Sequence, residues 1–160
     1  MLPAAALVGR ATQSAHQIST AALTSGLFRE ALANSVLIAT VSAVAATVLG
    51  AALALLLERT TLPGRKILKW LLLAPLFVPT YVGALGWLAL LDAASIPVVL
   101  ALHSYPISYL ITAAALSRIP NSLLQAAAIG GAGHGRIIFG VLLPLLRPAL
   151  LVSVAVTFLF

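Results

Sequence analysis

The residues best suited to chemistry in this 160-residue sequence lie in one stretch, 125–144, which interrupts an otherwise nearly continuous apolar chain. The stretch contains four closely spaced glycines together with His134 and Arg136, and glycine-rich loops can hold phosphate groups. No strand pattern precedes these glycines, however, and no Gly-Lys-Ser/Thr follows them, so we do not expect nucleotide binding. The sequence also offers no paired carboxylates, nucleophile–base set or metal-ligand spacing, so we expect neither enzyme chemistry nor a metal site. We therefore expect this stretch to bind a partner through surface contacts.

The composition places the stretch in a membrane protein. Hydrophobic residues make up 62% of the sequence, the mean hydropathy is +1.15 and charged residues make up only 8%, whereas soluble domains contain about a quarter charged residues. A soluble domain of this length leaves much of its surface in water and could not bury so much apolar area. The absence of cysteine excludes disulfides and thiolate metal sites. We therefore expect an integral membrane protein.

Four apolar stretches predict membrane-spanning helices, which gives an all-α polytopic transmembrane helix bundle. The predicted spans are about residues 32–57, 67–91, 96–116 and 145–160. The first has roughly 26 residues, more than the ~30 Å hydrocarbon core requires, whereas about 16 residues in the fourth cover only ~24 Å. We therefore predict three full spans plus a partial fourth within residues 31–160, and we expect the chain to be a fragment. Residues 1–30 are either an interfacial helix or the remnant of a preceding span.

The basic residues define the orientation of the predicted spans. Seven of the nine lysines and arginines lie near two loops, 58–66 and 118–144. They are Arg59, Arg65, Lys66 and Lys69 near the first loop, and Arg118, Arg136 and Arg147 near the second. Because Lys and Arg accumulate on the cytoplasmic side of membrane proteins, we expect both loops to be cytoplasmic. The formal net charge of +6 is therefore interpreted as an orientation signal, and nucleic acid is not expected as a partner.

Local sequence chemistry predicts a helical hairpin in the second loop. Asn121 or Ser122 is a suitable N-cap for a short helix through residues 125–128. The glycines between 130 and 135 then end this helix and allow a sharp reversal of the chain. The run 136–143 returns the chain to the membrane, where the fourth span begins. A helix, a glycine turn and a return helix form a rigid protrusion that suits docking into a groove of a partner.

The spacing of this stretch resembles the EAA loop of bacterial ABC-importer permeases. That pattern is Glu-Ala-Ala, three residues, Gly, nine residues and then Ile-x-Leu-Pro. The residues at these positions are Gln125, Ala126, Ala127, Gly131, Val141, Leu143 and Pro144. Here Gln replaces the Glu of the pattern and Val replaces the Ile. Flanking segments at Asn34-Ser35, 59–65 and 75–81 resemble the same family, so the resemblance covers roughly residues 31–160.

The resemblance implies a transmembrane permease subunit of a binding-protein-dependent importer in the bacterial inner membrane. The loop at about 120–144 would be the coupling helix that docks in a cleft of a cytoplasmic ABC ATPase dimer. Further implied partners are a second permease copy or half, a periplasmic solute-binding protein and membrane lipid. This chain would bind no cofactor itself, because ATP and Mg²⁺ would be bound by the ATPase. With Gln125 in place of Glu, the contact would be a neutral hydrogen bond of about half the strength.

Two further segments, 78–81 and 104–109, most resemble permeases of iron(III)-type importers, including relatives for thiamine and phosphonates. The candidate pathway residues are Tyr81, His103, Tyr105 and Tyr109. The tyrosines are equally suited to aromatic packing or interface anchoring, and an intramembrane His103 can also be a neutral imidazole hydrogen-bonded between helices. His134 can contact the ATPase or lie solvated in the loop.

The alternative to an importer subunit is a secondary transporter, or a structural membrane segment, without an ATPase partner. A secondary carrier needs ionisable groups in mid-membrane, and in the predicted spans only His103 qualifies. The loop at 120–144 distinguishes these classes, because only the importer subunit requires a docking surface for an ATPase.

Overall fold

The structure, a computed structural model, describes residues 25–79, 82 and 96–160. Every regular element in these residues is helical. In chain order they are α1 (Gly26–Arg59), α2 (Arg65–Leu73), a 3₁₀ turn (Ala74–Phe77), α3 (Ile96–Ser117), α4 (Asn121–Ile129), α5 (His134–Ile137), a π-helical turn (Ile138–Leu142) and α6 (Leu143–Leu159). Within the described residues, three helices are long and apolar enough to cross a membrane: α1, α3 and the continuous helix His134–Leu159. The predicted helical transmembrane bundle is confirmed.

The chain divides into two compact units, Met1–Ile38 and Ala39–Phe160. In the first unit, the described residues form the beginning of α1, where the amide of Phe28 donates a hydrogen bond of 3.2 Å to the Ser25 hydroxyl. Such a bond satisfies one of the free amides at a helix N-terminus. Most of the segment that we predicted as 1–30 lies outside the described residues. The site discussed below lies entirely in the second unit.

Small residues bring three helices of the second unit close together. Gly50 of α1 lies against the backbone of α3, where an added Cβ would come within 2.6 Å of the Tyr109 nitrogen and 2.7 Å of the Tyr105 carbonyl oxygen. Thr47 of α1 and Ser153 of α6 share a buried hydrogen bond of 3.3 Å between their hydroxyls. Such contacts are typical of membrane helices, whose association depends on close packing because lipid is as apolar as the side chains.

An apolar cluster lies at one end of these packed helices. Its buried members are Ala54, Leu57, Tyr109, Leu116, Leu142 and Leu146. They come from the last turns of α1, the second half of α3 and the residues on either side of the junction between the π-helical turn and α6. The cluster therefore fixes the point from which the α3–α4 connection and the following hairpin emerge.

α3 differs from the predicted span at 96–116 by one residue, whereas α1 begins six residues before the predicted span at 32–57 and ends two residues after it. The helix that we predicted from 67 ends instead at Leu73, and the chain passes through the 3₁₀ turn to an extended Val78. Pro75 explains the break, because it has no N–H to continue the α-helical hydrogen bonds. The remainder of that predicted span, to residue 91, lies outside the described residues apart from Val82.

The last span differs most from its prediction. We expected a return run to residue 143 and a separate, short span from 145, but His134–Leu159 is one continuous helix of 26 residues. At 1.5 Å per residue it is about 39 Å long, enough to cross the ~30 Å core. Pro144 has no N–H to bond the Gly140 carbonyl, yet the chain stays helical, because the π-helical turn at Ile138–Leu142 changes the hydrogen-bond register of the helix just before this proline.

Candidate functional site

Residues 121–137, which we call the α4–α5 hairpin, are mostly exposed. Neither α4 nor α5 has a buried residue. Gln125, Ala126 and Ala128 are exposed, and the Ile129 side chain, at the end of α4, is 89% exposed. The hairpin therefore presents both backbone and apolar side chains to whatever surrounds it.

The turn between the two helices has a defined geometry. Gly131 has a φ of +81°. The amide of Ala132 donates to the Ala127 carbonyl, and that of Gly131 donates to the Ala128 carbonyl, both at 3.0 Å. This is a Schellman motif, in which a left-handed residue satisfies the last carbonyls of a helix. The predicted end of the helix at the glycines is confirmed, and the motif makes the reversal a rigid one.

The beginning of α4 is not capped in the way we predicted. Pro120 occupies the N-cap with an extended backbone, and no side chain accepts a hydrogen bond from the free amides of the first turn. The Asn121 side chain instead accepts a hydrogen bond of 2.7 Å from Nη1 of Arg59. The prediction of Asn121 or Ser122 as N-cap is therefore wrong. A charged guanidinium is a stronger donor than a backbone amide, which explains why Asn121 turns towards it.

Arg59 also binds the end of α3. Its Nη2 donates to the carbonyl oxygens of Leu116, at 2.7 Å, and Ile119, at 3.2 Å. Carbonyls at a helix C-terminus have no partners within the helix and carry partial negative charge. A cation at this position therefore interacts favourably with them and is itself stabilised, although the Leu116 carbonyl also accepts a hydrogen bond of 3.1 Å from the Ile119 amide. One side chain at the end of α1 thus joins the end of α3 to the beginning of α4.

The neighbouring Glu58 makes a second set of links. Its Oε1 lies 2.5 Å from Nζ of Lys69 in α2 and accepts a hydrogen bond of 3.1 Å from the hydroxyl of Tyr109 in α3. Glu58 and Arg59 together therefore connect the end of α1 to α2, α3 and α4. Sequence reasoning used Arg59 only as an orientation charge and as part of a flanking segment. The available signal was an acid and a base side by side directly after a long uncharged run.

The motif residues fall on two elements. Gln125, Ala126 and Ala127 belong to α4, and Gly131 follows it in the turn. The other matching residues lie beyond α5 in the continuous helix: Val141 in the π-helical turn, and Leu143 and Pro144 in the first turn of α6. Val141 follows His134 by seven residues, which corresponds to about 10 Å along the helix axis. The motif therefore extends from the exposed turn to the base of the last span.

The candidate pathway residues lie elsewhere in the bundle, and Tyr81 lies outside the described residues. Tyr105 and Tyr109 are buried, 9% and 3% exposed, on the part of α3 that packs against Gly50. The ring of His103 stacks on that of Phe160, with centroids 6.4 Å apart. The side chains of His103, Tyr105 and Tyr109 therefore lie where helices contact each other. Their role in a pathway stays a prediction.

A cavity of about 700 Å³ lies between the end of α1 and the α4–α5 hairpin. Its walls are largely apolar, with Leu55 and Ile138 among them, and Arg65 and His134 also line it. His134 is exposed at the beginning of α5. Within the described part of the chain, no three His, Cys, Asp or Glu side chains lie together where they could hold a metal ion.

Comparison with known families gives one match. The model of a family described as "Binding-protein-dependent transport system inner membrane component" matches residues 46–160, more than two thirds of the chain. The match begins within α1, before Gly50, and includes the whole α4–α5 hairpin. A comparison with curated proteins finds no matching relative.

Proposed function

Because this chain belongs to the family of binding-protein-dependent transport system inner membrane components, we propose that it is a permease subunit of an ABC importer. In this proposal, a periplasmic binding protein delivers the solute, and a cytoplasmic ABC ATPase dimer supplies the energy for transport across the bacterial inner membrane. ATP and Mg²⁺ are bound by the ATPase, and this chain hydrolyses nothing. A second permease copy or half completes the path through the membrane.

The observation that supports this proposal is the α4–α5 hairpin. It has no buried residue and a rigid Schellman turn, and it exposes 89% of Ile129. Burial of one such apolar side chain contributes about 1.5–3 kcal/mol. A short helix with an apolar tip on the side of the membrane that is rich in Lys and Arg suits a groove in a cytoplasmic partner.

The contact chemistry follows from the exposed face of α4. Gln125 presents a neutral amide where the family pattern has a carboxylate, so it can both donate and accept hydrogen bonds. Ala126 presents only a methyl group, which permits the ATPase surface to approach the helix closely. The contact would therefore depend on shape and apolar burial, with one neutral hydrogen bond rather than an ion pair.

The tight packing of α1, α3 and α6 supports rigid-body movement. Gly50 leaves no space between α1 and α3, so the helices cannot slide past each other without separating. Closure of the paired ATPases would pull on the hairpin and rotate the packed helices as one body between inward- and outward-open states. Rotation of rigid repeats or bundles is the usual form of alternating access.

For the solute we propose iron(III), on the resemblance of segments 78–81 and 104–109 to permeases of iron(III)-type importers. The test is uptake of radioactive iron(III) by proteoliposomes that contain the permease, its ATPase and the binding protein. Uptake that depends on MgATP supports iron(III). Uptake of thiamine or a phosphonate instead, with no iron, would assign the solute to another branch of the same family.

Co-purification of the permease with an ABC ATPase tests the coupling role. We expect Ala126→Glu to weaken ATPase binding at least tenfold, or by about 1.4 kcal/mol, because it places an unpaired carboxylate in the contact. Thr61→Glu is the matched control, because it adds the same charge to an exposed residue of the other basic loop. Equal retention of the ATPase by wild type and Ala126→Glu would contradict coupling through the hairpin. A wild-type permease that binds no ATPase would favour a secondary transporter.

A further inference from the structure

We propose that Arg59 is the positioning residue that holds the α4–α5 hairpin in its docking orientation. The proposal rests on the proposed function for its consequence, the transmission of force from the ATPase to the spans. Its structural part concerns only contacts of this chain: the guanidinium of Arg59 binds the carbonyl of Leu116 at the end of α3, that of Ile119 in the α3–α4 connection, and the side chain of Asn121 at the beginning of α4.

The anchor itself is firmly placed. Arg59 is the last residue of α1, and two residues before it Leu57 is completely buried in the apolar cluster. The intervening Glu58 is held by Lys69 and Tyr109. The backbone from which the guanidinium extends is therefore fixed by three independent contacts, so the side chain can transmit the position of α1 to its partners.

α4 depends on this anchor because its own residues make few other contacts, whereas α5 continues directly into the last span. No residue of α4 is buried, and no side chain caps its first turn. Leu124 contributes a half-buried side chain to the margin of the apolar cluster. The nine residues of α4 extend about 13 Å at 1.5 Å per residue. A small rotation at Asn121 would therefore displace the exposed turn at Gly131 by a much larger distance.

The contacts require a guanidinium and not merely a positive charge. Nη1 is directed to Asn121 and Nη2 to the carbonyls of Leu116 and Ile119, so two nitrogens of one planar group face two elements. An ammonium group is a compact point charge and cannot cover both directions with the same rigid geometry. If Arg59 served only as an orientation charge, lysine would replace it without loss. Arg59→Lys therefore separates positioning from topology.

Spin-label mobility tests the structural part in the permease alone. The sequence has no cysteine, so Ala128→Cys provides one labelling site, on the exposed surface of α4. We expect Arg59→Lys and Asn121→Ala each to increase the mobility of this label, and the double variant to add nothing, because both substitutions break one link. Arg118→Lys, at an exposed arginine beside the same helix end, is the control and should leave the mobility unchanged.

Reconstitution with the ATPase tests the functional part. We expect Arg59→Lys to bind the ATPase within about threefold of wild type, because the docking face is intact, and to reduce coupled hydrolysis of MgATP about tenfold, within the 5–150-fold range of coupling energies. Should Arg59→Lys fail to fold, Asn121→Ala removes the same link from an exposed position. Wild-type mobility together with wild-type hydrolysis in both variants would overturn the proposal. A wild-type permease without ATPase binding would instead overturn the proposed function, while the mobility measurements would still decide whether Arg59 holds the hairpin.

Discussion

Glycine serves opposite purposes in the bundle and in the α4–α5 hairpin. At Gly50 the backbone is ordinary helix, and the missing Cβ matters because the backbone of α3 would lie within 2.7 Å of it. At Gly131 nothing lies within 4 Å of an added Cβ, and the positive φ alone demands glycine. The first glycine holds two helices together, whereas the second ends one helix and turns the chain. Substitution should therefore damage global stability in one region and local geometry in the other.

Gly50→Ala should have the largest effect on stability. A methyl group there meets backbone atoms of Tyr105 and Tyr109, which cannot rotate away as a side chain would. We expect a loss of about 3 kcal/mol, the upper end of the usual cost of overpacking, measured as a lower thermal midpoint of the permease in detergent. Gly26→Ala is the control in the same helix, since its Cβ meets nothing within 4 Å. Equal midpoints for the two variants would show that α1 and α3 are not in this close contact.

Gly131→Ala should act within the hairpin. A non-glycine residue in the left-handed region costs about 1–2 kcal/mol, so we expect the Ala132 amide of the Schellman motif to exchange its hydrogen about tenfold faster or more. The thermal midpoint of the bundle should barely change, because α4 contributes no buried residue. Gly130→Ala is the matched control, because its φ of −71° suits any residue. An unchanged exchange rate in Gly131→Ala would contradict the turn geometry.

The hydrogen bond between Thr47 and Ser153 should involve a smaller free energy than either glycine position. We expect Thr47→Val and Ser153→Ala each to destabilise the bundle by about 1 kcal/mol, with a coupling energy near 0.6 kcal/mol in the double-mutant cycle, the average for hydrogen bonds between membrane helices. Thermal unfolding of the wild type, the two single variants and the double variant measures this coupling energy. Strict additivity would show that the two hydroxyls do not interact, and would leave close packing alone to hold α1 against α6.

Much of this architecture follows from local sequence. Uncharged runs longer than the hydrocarbon core predicted α1 and α3, since length and hydropathy suffice for such helices. The glycines at 130–135 predicted the reversal, because positive φ is a property of single residues. The helical bundle and the family could therefore be predicted from the sequence without knowledge of tertiary contacts.

The errors have a common physical cause, which is competition from residues distant in sequence or along the helix. Asn121 has the local chemistry of an N-cap, but Arg59, 62 residues earlier, supplies a stronger donor. Pro144 has the local chemistry of a helix start, but the preceding π-helical turn accommodates it within a continuous helix. Likewise, the partner of Tyr109 is Glu58, 51 residues away, a pairing that spacing alone cannot reveal.

The π-helical turn at Ile138–Leu142 also sets the direction, around the axis of the last helix, in which the hairpin points. Each residue of a helix rotates the chain by about 100°, and a π turn contains one residue more than an α turn. The side chains of α5 are therefore offset by about 100° from the directions that an uninterrupted α-helix continued back from α6 would give them. Deletion of one residue from this turn would leave the helical segments on both sides of it intact. It would rotate the exposed face of the hairpin by about 100° around the helix axis. The direction in which this protein presents its hairpin thus depends on one extra residue in the last helix as well as on the contacts of Arg59.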